Sequence, residues 1–247
     1  MPYIHGRNPV IEALEHQRPI QKIYIQHGNR GDKINLIFRL AKQNRIPITN
    51  ADPHKIAKMV GKVTHQGVVA LVSPVEIRDI ADLLEAPLPE NRYGLWVIAD
   101  QIQDPHNMGA IIRSAEVLGA DGVIFGTRDT VPITDTVVKA SAGAALHCPL
   151  YTAPNLGRAV AALKEKNIWV YGSSLETDQQ LWDVDFLRHC AIVIGGEGSG
   201  IRPSLAKSCD VLFKIPQPGS TQSLNASVAA GVILAETLRQ RLGNPRG

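Results

Sequence analysis

The chain has 247 residues, a net charge of +3 and 44% hydrophobic residues, values that suit one large or two modest globular domains. No apolar run approaches the roughly 20 residues of a membrane-spanning helix, and the first residues lack the apolar core of a signal peptide. Three cysteines, an odd number without CxxC spacing, argue against a disulfide framework. We therefore expect a soluble, reduced, cytoplasmic protein, and no cluster of metal ligands is visible.

The charge is divided unevenly along the chain. Residues 1–73 contain 11 Lys/Arg against 4 Asp/Glu, whereas residues 74–247 contain 15 against 19. A basic amino-terminal third favours contact with a polyanion, although a solvated lysine-rich surface would give the same imbalance. By charge alone, the candidates for such contacts include Arg7, Lys22, Arg39 and Lys42.

Residues 1–73 are predicted to form a small α/β domain. Apolar spacing predicts helices at 9–17 and 32–45 and a third helix that begins at Pro53, with Asn8 and Asp52 as N-caps. Strands are predicted at 22–26, 46–48 and 67–72. Residues 74–92 carry three prolines and five acidic residues, a composition typical of an interdomain linker, with one or two helical turns around 79–84.

Residues 93–247 show a strand–helix alternation typical of an α/β domain with a parallel sheet. The predicted strands have nearly continuous apolar runs, which indicates a sheet covered on both faces. They lie at 95–99, 122–125, 168–172, 191–195 and 211–215, and the clearest helices at 108–118, 156–166 and 224–242.

Three polar or glycine-rich motifs each follow a predicted strand, at residues 104–115, 194–201 and 215–227. Ligands of open α/β sheets gather at the carboxyl ends of strands, so these motifs are candidates for one site. In the first motif Asn107 is a candidate N-cap, and Arg113 follows within two helical turns.

The second motif has four glycines in residues 195–200, with Glu197 as its ionisable group. Its GxGxG spacing differs from the GxGxxG of dinucleotide-binding turns, which argues against an NAD-dependent oxidoreductase. The third motif combines a rigid proline-containing loop with Ser223, and Asn225 falls in the first turn of the terminal helix.

The three motifs together resemble the three signatures of the SpoU (TrmH-like) branch of the SPOUT RNA methyltransferases. The resemblance rests on Pro105-His106-Asn107-Met108-Gly109, on Ser223-Leu224-Asn225 and on the glycine-rich motif between them. The resemblance covers essentially the whole chain. It implies methyl transfer from S-adenosylmethionine to a ribose 2′-hydroxyl of RNA. It also implies a small L30e-like RNA-binding domain (1–73), a linker (74–92), and a SPOUT catalytic domain (93–247) with a deep trefoil knot. A homodimer with its site near the subunit interface is implied as well.

The resemblance also implies roles for individual residues. Arg113, Asn107, Glu197 and Asn225 would be catalytic, while the cofactor would contact Gly195, Gly196, Gly198, Ile215, Ser223, Leu224 and Asn225. Arg113 would either orient the RNA and stabilise the developing alkoxide or take the proton itself. The first is favoured because a free guanidinium is a poor base at neutral pH.

Within the family, the chain is similar to the branch that methylates a guanosine ribose in 23S ribosomal RNA, because a small domain precedes the catalytic one. The same reaction on tRNA is an alternative. A non-catalytic RNA-binding protein is a further alternative, which the presence of Arg113 and Asn225 disfavours.

Overall fold

The computed structural model describes residues 3–16, 18–61, 63–198, 200–220 and 223–243. Gln17 of the first predicted helix, Ser199 of the second motif, and Thr221 and Gln222 of the third lie outside these ranges. The chain divides into two compact units, Met1–Ile77 and Arg78–Gly247. Each unit has its own sheet.

The first unit is a four-stranded sheet with three helices. The sheet has the order β1-β4-β2-β3, in which β2 and β3 run parallel and the other pairs antiparallel. The elements are β1 (Tyr3–His5), α1 (Arg7–Glu15), β2 (Ile20–Gln26), α2 (Asp32–Gln43), β3 (Ile48–Ala51), α3 (Pro53–Val60) and β4 (Val68–Val72).

The apolar faces of α1 and α2 pack on this sheet, and their buried residues include Val10, Leu14, Ile34 and Ile37. The first helix begins earlier than the sequence predicts, at Arg7, and its N-cap is Gly6 rather than Asn8. Asn8 instead accepts a hydrogen bond from Lys33 through its side chain, so the amide has a tertiary partner.

The second unit is built on a seven-stranded sheet whose paired strands are all parallel, in the order β11-β9-β10-β6-β7-β8-β5. Its strands are β5 (Arg78–Asp79), β6 (Leu95–Asp100), β7 (Gly122–Gly126), β8 (Leu150–Ala153), β9 (Trp169–Ser173), β10 (Cys190–Gly195) and β11 (Val211–Phe213). Its helices are α4 (Ile80–Glu85), α5 (Pro105–Val117), α6 (Asp135–Ala140), α7 (Leu156–Glu165), α8 (Pro203–Ala206) and α9 (Ala226–Leu242), with 3-10 turns at Ala144–Leu146 and Leu181–Asp183.

Two of these elements lie within the predicted linker. The strand β5 pairs with β8, and α4 follows it directly. Asp79 and Asp82 form a reciprocal capping box at the start of α4, which explains why an acidic, proline-containing segment holds a short helix.

Helices cover both faces of the large sheet. On one face, α4, α7 and α8 pack against alternate residues of the strands, such as Trp96 and Val193. The intervening residues, such as Val97 and Ile192, are equally buried on the other face, where α5 and α9 pack against each other and against the central strands. The predicted parallel sheet is therefore confirmed, while the trefoil knot stays a prediction. None of the described helices combines the length and apolar character needed to cross a bilayer.

Candidate active site

The first two motifs leave the sheet side by side. Strands β6 and β10 are parallel neighbours, and Asp100 at the end of β6 lies opposite Gly195 at the end of β10. The strand order reverses at this pair, because β7 and β8 extend to one side and β9 and β11 to the other. Such a reversal opens a crevice at the carboxyl edge of a parallel sheet, the usual place for a ligand.

One polar side chain from each motif meets in this crevice. Asn107 donates from Nδ2 to Glu197 Oε1 over 2.8 Å, and Asn225 donates from Nδ2 to the same oxygen over 2.5 Å. The amide of Asn225 also donates to Asn107 Oδ1 over 2.9 Å. The sequence thus predicted three residues that the structure joins in one hydrogen-bonded cluster, called here the Asn–Glu–Asn cluster.

The orientation of Asn225 is set by the helix that it caps. Its Oδ1 accepts from the backbone amides of Ser227 at 2.9 Å and Val228 at 3.3 Å, and from Ser227 Oγ at 2.6 Å. Because the oxygen is committed to the start of α9, the Nδ2 group must face Glu197. The helix cap therefore directs the Nδ2 end of this side chain toward Glu197.

Asn107 does not cap its helix, contrary to the prediction. The N-cap of α5 is Asp104, whose carboxylate accepts from the backbone amide of His106 at 3.2 Å, and Pro105 occupies the first helical position. Asn107 lies in the first turn and is only 7% exposed. Its amide is consequently free to bond Glu197 rather than backbone.

An ion pair with a buried carboxylate links the end of β6 to the segment that follows the second motif. Asp100 is completely buried, and its carboxylate accepts from Arg202 through the backbone amide at 2.9 Å and through Nε at 2.8 Å. Arg202 Nη2 is also 2.6 Å from the carboxylate. Neither residue was among the predicted site residues. The available signal was an aspartate at the end of the apolar run Leu95–Asp100.

The glycines of the second motif are required by close backbone approach. A Cβ on Gly195 would lie 2.1 Å from the carbonyl carbon of Gly200, and one on Gly196 would lie 2.6 Å from the carbonyl oxygen of Gln101. Gly196 and Gly200 also form a bridge, with a 3.0 Å hydrogen bond from Gly200 N to Gly196 O. The loop is therefore a tight turn that carries Glu197 at a fixed place.

A cavity of about 370 Å³ opens beside the cluster. Most residues predicted to bind the cofactor line it: Gly195, Gly196, Gly198, Ile215, Ser223 and Leu224. Asn225 does not line it, but Glu197 does, and Glu197 also borders a neighbouring cavity of about 310 Å³ together with Asn107. The segment after β9, including Ser174 and Glu176, forms another wall that sequence reasoning missed.

Arg113 stands apart from this arrangement. It is exposed on α5, lines neither of the two cavities, and has no hydrogen bond or ion pair with any residue in the described part of the chain. The structure of one chain therefore brings together Asn107, Glu197 and Asn225 but not Arg113.

Comparison with known proteins gives a family for this arrangement. The sequence profile of the SpoU rRNA methylase family matches residues 94–235, and a profile described as RNA 2′-O ribose methyltransferase substrate binding matches residues 3–78. The chain belongs to the SpoU rRNA methylase family. The resemblance in the three motifs is thus confirmed at the level of the family.

Similar proteins cover the chain almost end to end. YacO of Bacillus subtilis, which is assigned to the TrmH family of tRNA/rRNA methyltransferases, is 38% identical over 99% of this chain and 97% of its own. The SpoU methyltransferase AviRb from Streptomyces viridochromogenes, solved in complex with AdoMet, is 26% identical, with a TM-score of 0.62 over 98% of this chain and 91% of its own. A TrmH/SpoU tRNA-modifying enzyme from A. aeolicus is 25% identical, with a TM-score of 0.56 over 66% of this chain and 81% of its own.

Proposed function

We propose that this SpoU-family protein transfers the methyl group of S-adenosylmethionine to the ribose 2′-hydroxyl of a guanosine in 23S ribosomal RNA. The observation that carries the proposal is the Asn–Glu–Asn cluster beside a glycine-walled cavity, at the point where the strand order reverses. Ribosomal RNA as the substrate would place the reaction in the cytoplasm.

The cavity has the chemistry that S-adenosylmethionine requires. Gly195 and Gly196 leave backbone groups accessible, and Ile215 and Leu224 provide apolar surface for an adenine ring. Two glutamates, Glu176 and Glu197, and no basic residue are among the described residues that line it, which suits a positively charged sulfonium. When bound, the cofactor supplies an electrophilic methyl carbon. The AdoMet complex of AviRb supports this assignment.

The residues of the chain position the other reactant. In-line displacement needs the ribose oxygen held about 3 Å from the methyl carbon. Glu197 Oε1 is occupied by the two asparagine amides, while Oε2 has no hydrogen-bond partner in the described ranges. We assign Oε2 to accept a hydrogen bond from the ribose hydroxyl and to take its proton as the oxygen is methylated, with Asn107 and Asn225 fixing the carboxylate.

Arg113 binds the RNA phosphate next to the target ribose and stabilises the developing alkoxide in this proposal. Its lack of a partner within the described part of the chain leaves its five donors available. The competing role, proton removal by Arg113 itself, predicts a base titration in the pH–rate profile that disappears in Arg113→Ala. Retention of that titration in the residual activity of Arg113→Ala supports the phosphate role.

A homodimer accounts for the position of Arg113. The outer faces of α5 and α9 expose Val117 (67%), Val228 (50%) and Leu242 (75%) in helices that pack on each other. Apolar side chains at this exposure on adjacent helices favour a subunit interface. Arg113 lies on α5 beside this surface, so dimerisation would bring it to the cluster of the other subunit.

The extent of similarity favours ribosomal RNA over tRNA. The match to the tRNA-modifying enzyme from A. aeolicus covers only 66% of this chain, and residues 3–78 match a separate substrate-binding profile. A dedicated RNA-binding unit suits a target embedded in a large RNA. The name of YacO includes both tRNA and rRNA, so tRNA is the second candidate substrate.

Methyl transfer to two RNAs tests the proposal. Labelled S-adenosylmethionine is offered with unmodified 23S ribosomal RNA or unmodified tRNA, and the product RNA is digested to nucleosides, with Arg113→Ala as the control. We expect 2′-O-methylguanosine from ribosomal RNA alone, strongly reduced in the variant. Label in tRNA alone would overturn the proposed target. Absence of label in both, despite measurable cofactor binding, would favour a non-catalytic RNA-binding protein.

A further inference from the structure

The first unit contains an open polar cavity of about 870 Å³. It is formed by three segments: the start of α1, the turn between β2 and α2, and the segment that precedes β4. Arg7 and Lys33 line it together with two histidines and several side-chain amides, and none of the described residues that line it is acidic. Outside the lining, the carboxylate of Asp52 lies with Oδ1 4.0 Å from His27 Nε2. The lining therefore favours an anionic ligand rich in hydrogen-bonding groups.

Neutral groups hold the two cations of the cavity in place. Arg7 donates from Nη2 to Asn29 Oδ1 over 2.7 Å and from Nε to the carbonyl of Gln66 over 3.4 Å. Lys33 donates to Asn8 Oδ1 over 2.7 Å. Within the described ranges neither cation has a carboxylate within 4.0 Å, so both charges remain available to a ligand while the side chains are already positioned.

The backbone of the segment that precedes β4 is shaped so that the Gln66 carbonyl can accept the hydrogen bond from Arg7. Gln66 and Gly67 both have positive φ, +49° and +73°, which places two successive residues in the left-handed region. A Cβ on Gly67 would lie 2.3 Å from Asn29 Nδ2, the atom that donates to the Gln66 carbonyl over 3.0 Å. Glycine at position 67 therefore allows Asn29 to connect Arg7 to the turn.

Two helix N-termini lie at the cavity. Helix α1 and helix α2 both begin there, and both have glycine N-caps. The first amide of α1, Arg7 N, already donates to Gln66 Oε1 over 3.1 Å, and Asp32 in the first turn of α2 offsets part of that helix's dipole, so the two cations supply the main positive charge. The side-chain amide of Gln26, which also lines the cavity, has no hydrogen-bond partner among the residues described, whereas its backbone amide donates to the carbonyl of Gly67.

We propose that this cavity binds one unpaired nucleotide of the RNA substrate. Its phosphate lies between Arg7 and Lys33, and the edge of its base forms hydrogen bonds with the side-chain amide of Gln26. The volume suits a nucleotide, whereas a base inside a duplex could not present its edge to a cavity. The inference rests on the proposed RNA substrate, and it gives a specific site to the part of the chain that the substrate-binding profile matches.

Equilibrium binding of RNA to the full-length protein tests the inference. The probes are a fluorescent pool of hairpins with ten randomised loop nucleotides and a fully paired duplex of equal length, measured by anisotropy at several salt concentrations. Arg7→Gln/Lys33→Gln removes both cavity charges. Lys55→Gln/Lys58→Gln is the matched control, because it removes the same charge from exposed residues of α3 outside the cavity.

We expect the wild-type protein to prefer the hairpin pool. The cavity variant should weaken hairpin binding about tenfold or more and reduce the slope of log K against log salt by roughly 0.7, the value for one fewer phosphate contact on a single strand. The control should change the dissociation constant less than about threefold. Arg7→Lys, which keeps the charge but not the guanidinium geometry, should weaken binding by an intermediate amount, and thermal unfolding confirms that each variant is folded.

Equal weakening by the two double variants, or no binding of the hairpin pool by the wild type, would overturn the inference. The proposed function is judged separately by methyl transfer and cofactor binding. If methyl transfer to RNA occurs but the cavity variant binds hairpins normally, the nucleotide site is wrong and the proposed function stands. If the cavity variant loses hairpin binding while the wild type methylates neither RNA, the nucleotide site stands and the proposed function is wrong.

Discussion

Arg202, 102 residues after Asp100 in the chain, donates hydrogen bonds to the Asp100 carboxylate from both its backbone amide and its guanidinium Nε. Asp100 is fully buried, whereas the side chain of Arg202 is 34% exposed. The pair joins the end of β6 to Arg202, two residues after the Gly195–Gly200 turn, so we expect the position of Glu197 to depend on an interaction outside the Asn–Glu–Asn cluster.

The unequal burial of this pair predicts unequal effects of mutation. Arg202→Met leaves a buried carboxylate with only its backbone donor, and we expect the free energy of unfolding to fall by about 3–5 kcal/mol. Asp100→Asn leaves Arg202 able to reach water, and a loss of about 1–2 kcal/mol is expected. Urea unfolding of both variants measures the difference. Equal losses would show that the ion pair is not what stabilises this junction.

The side chain of Asn225 both caps α9 and forms a hydrogen bond with Glu197, and substitutions can separate these two roles. Asn225→Asp keeps the helix-capping oxygen but places a second carboxylate against Glu197, with which Nδ2 now forms a 2.5 Å hydrogen bond. Two adjacent carboxylates raise the pKa of one of them, and such a group loses its stabilising protonated form as pH rises. The stability deficit of Asn225→Asp should therefore be larger at pH 7 than at pH 5.

Asn225→Ala is the comparison for that variant. It removes the cap and the cluster bonds together, and we expect a loss of about 1 kcal/mol that is similar at the two pH values. Urea unfolding at pH 5 and pH 7 gives both quantities. A deficit of Asn225→Asp that did not shrink at pH 5 would argue against close contact between residues 225 and 197.

A side chain added to the Gly195–Gly200 turn is expected to weaken cofactor binding specifically. Gly195→Ala places a Cβ 2.1 Å from the carbonyl carbon of Gly200, so the turn must open and the cavity must change shape. Gly219→Ala is a matched control, because its Cβ meets nothing within 4 Å and its φ is not in the left-handed region. Calorimetric titration with S-adenosylmethionine should show binding weakened about tenfold or more in Gly195→Ala and almost unchanged in Gly219→Ala. Similar affinities in the two variants would remove this turn from the proposed cofactor site.

The sequence predicted the elements that have a strong local signal. Four of the five predicted strands of the second unit, β6, β7, β9 and β10, run through its buried core, and continuous apolar runs are typical of parallel strands; the fifth, β11, is an edge strand with two half-buried residues. Strands β5 and β8 were not predicted, because two and four residues carry too little periodicity. The N-cap of α5 was assigned to Asn107 because asparagine is a good cap, but Asp104 followed by Pro105 satisfies the same rule three residues earlier.

The candidate site was predictable from motifs only in part. Asn107, Glu197 and Asn225 were found because each motif contributes a polar residue next to a strand end. The pairing of Asp100 with Arg202 could not be found, since it depends on which strands are neighbours in the sheet. The wall that contains Ser174 and Glu176 follows a strand without any distinctive motif.

Burial of the cysteines predicts a loss of stability in alkali. Desolvation raises the pKa of the Cys190 thiol to about 12, even though Arg241 donates a 3.3 Å hydrogen bond to its sulfur. In the unfolded chain the same thiol ionises near pH 8.5. Above that pH the unfolded state releases the proton first, so stability is constant below about pH 8.5 and falls as pH rises toward 12.

A comparison with Cys190→Ala isolates this effect from other groups that titrate in alkali. Between pH 7 and pH 10 the wild-type protein should lose about 2 kcal/mol more than the variant, because the shift acts over about 1.5 pH units. Urea unfolding at both pH values supplies the four free energies required. The native thiol should also resist iodoacetamide at pH 8, since the thiolate is the reactive form. Equal losses in the two proteins, or rapid alkylation of the native thiol, would show that Cys190 is accessible to water.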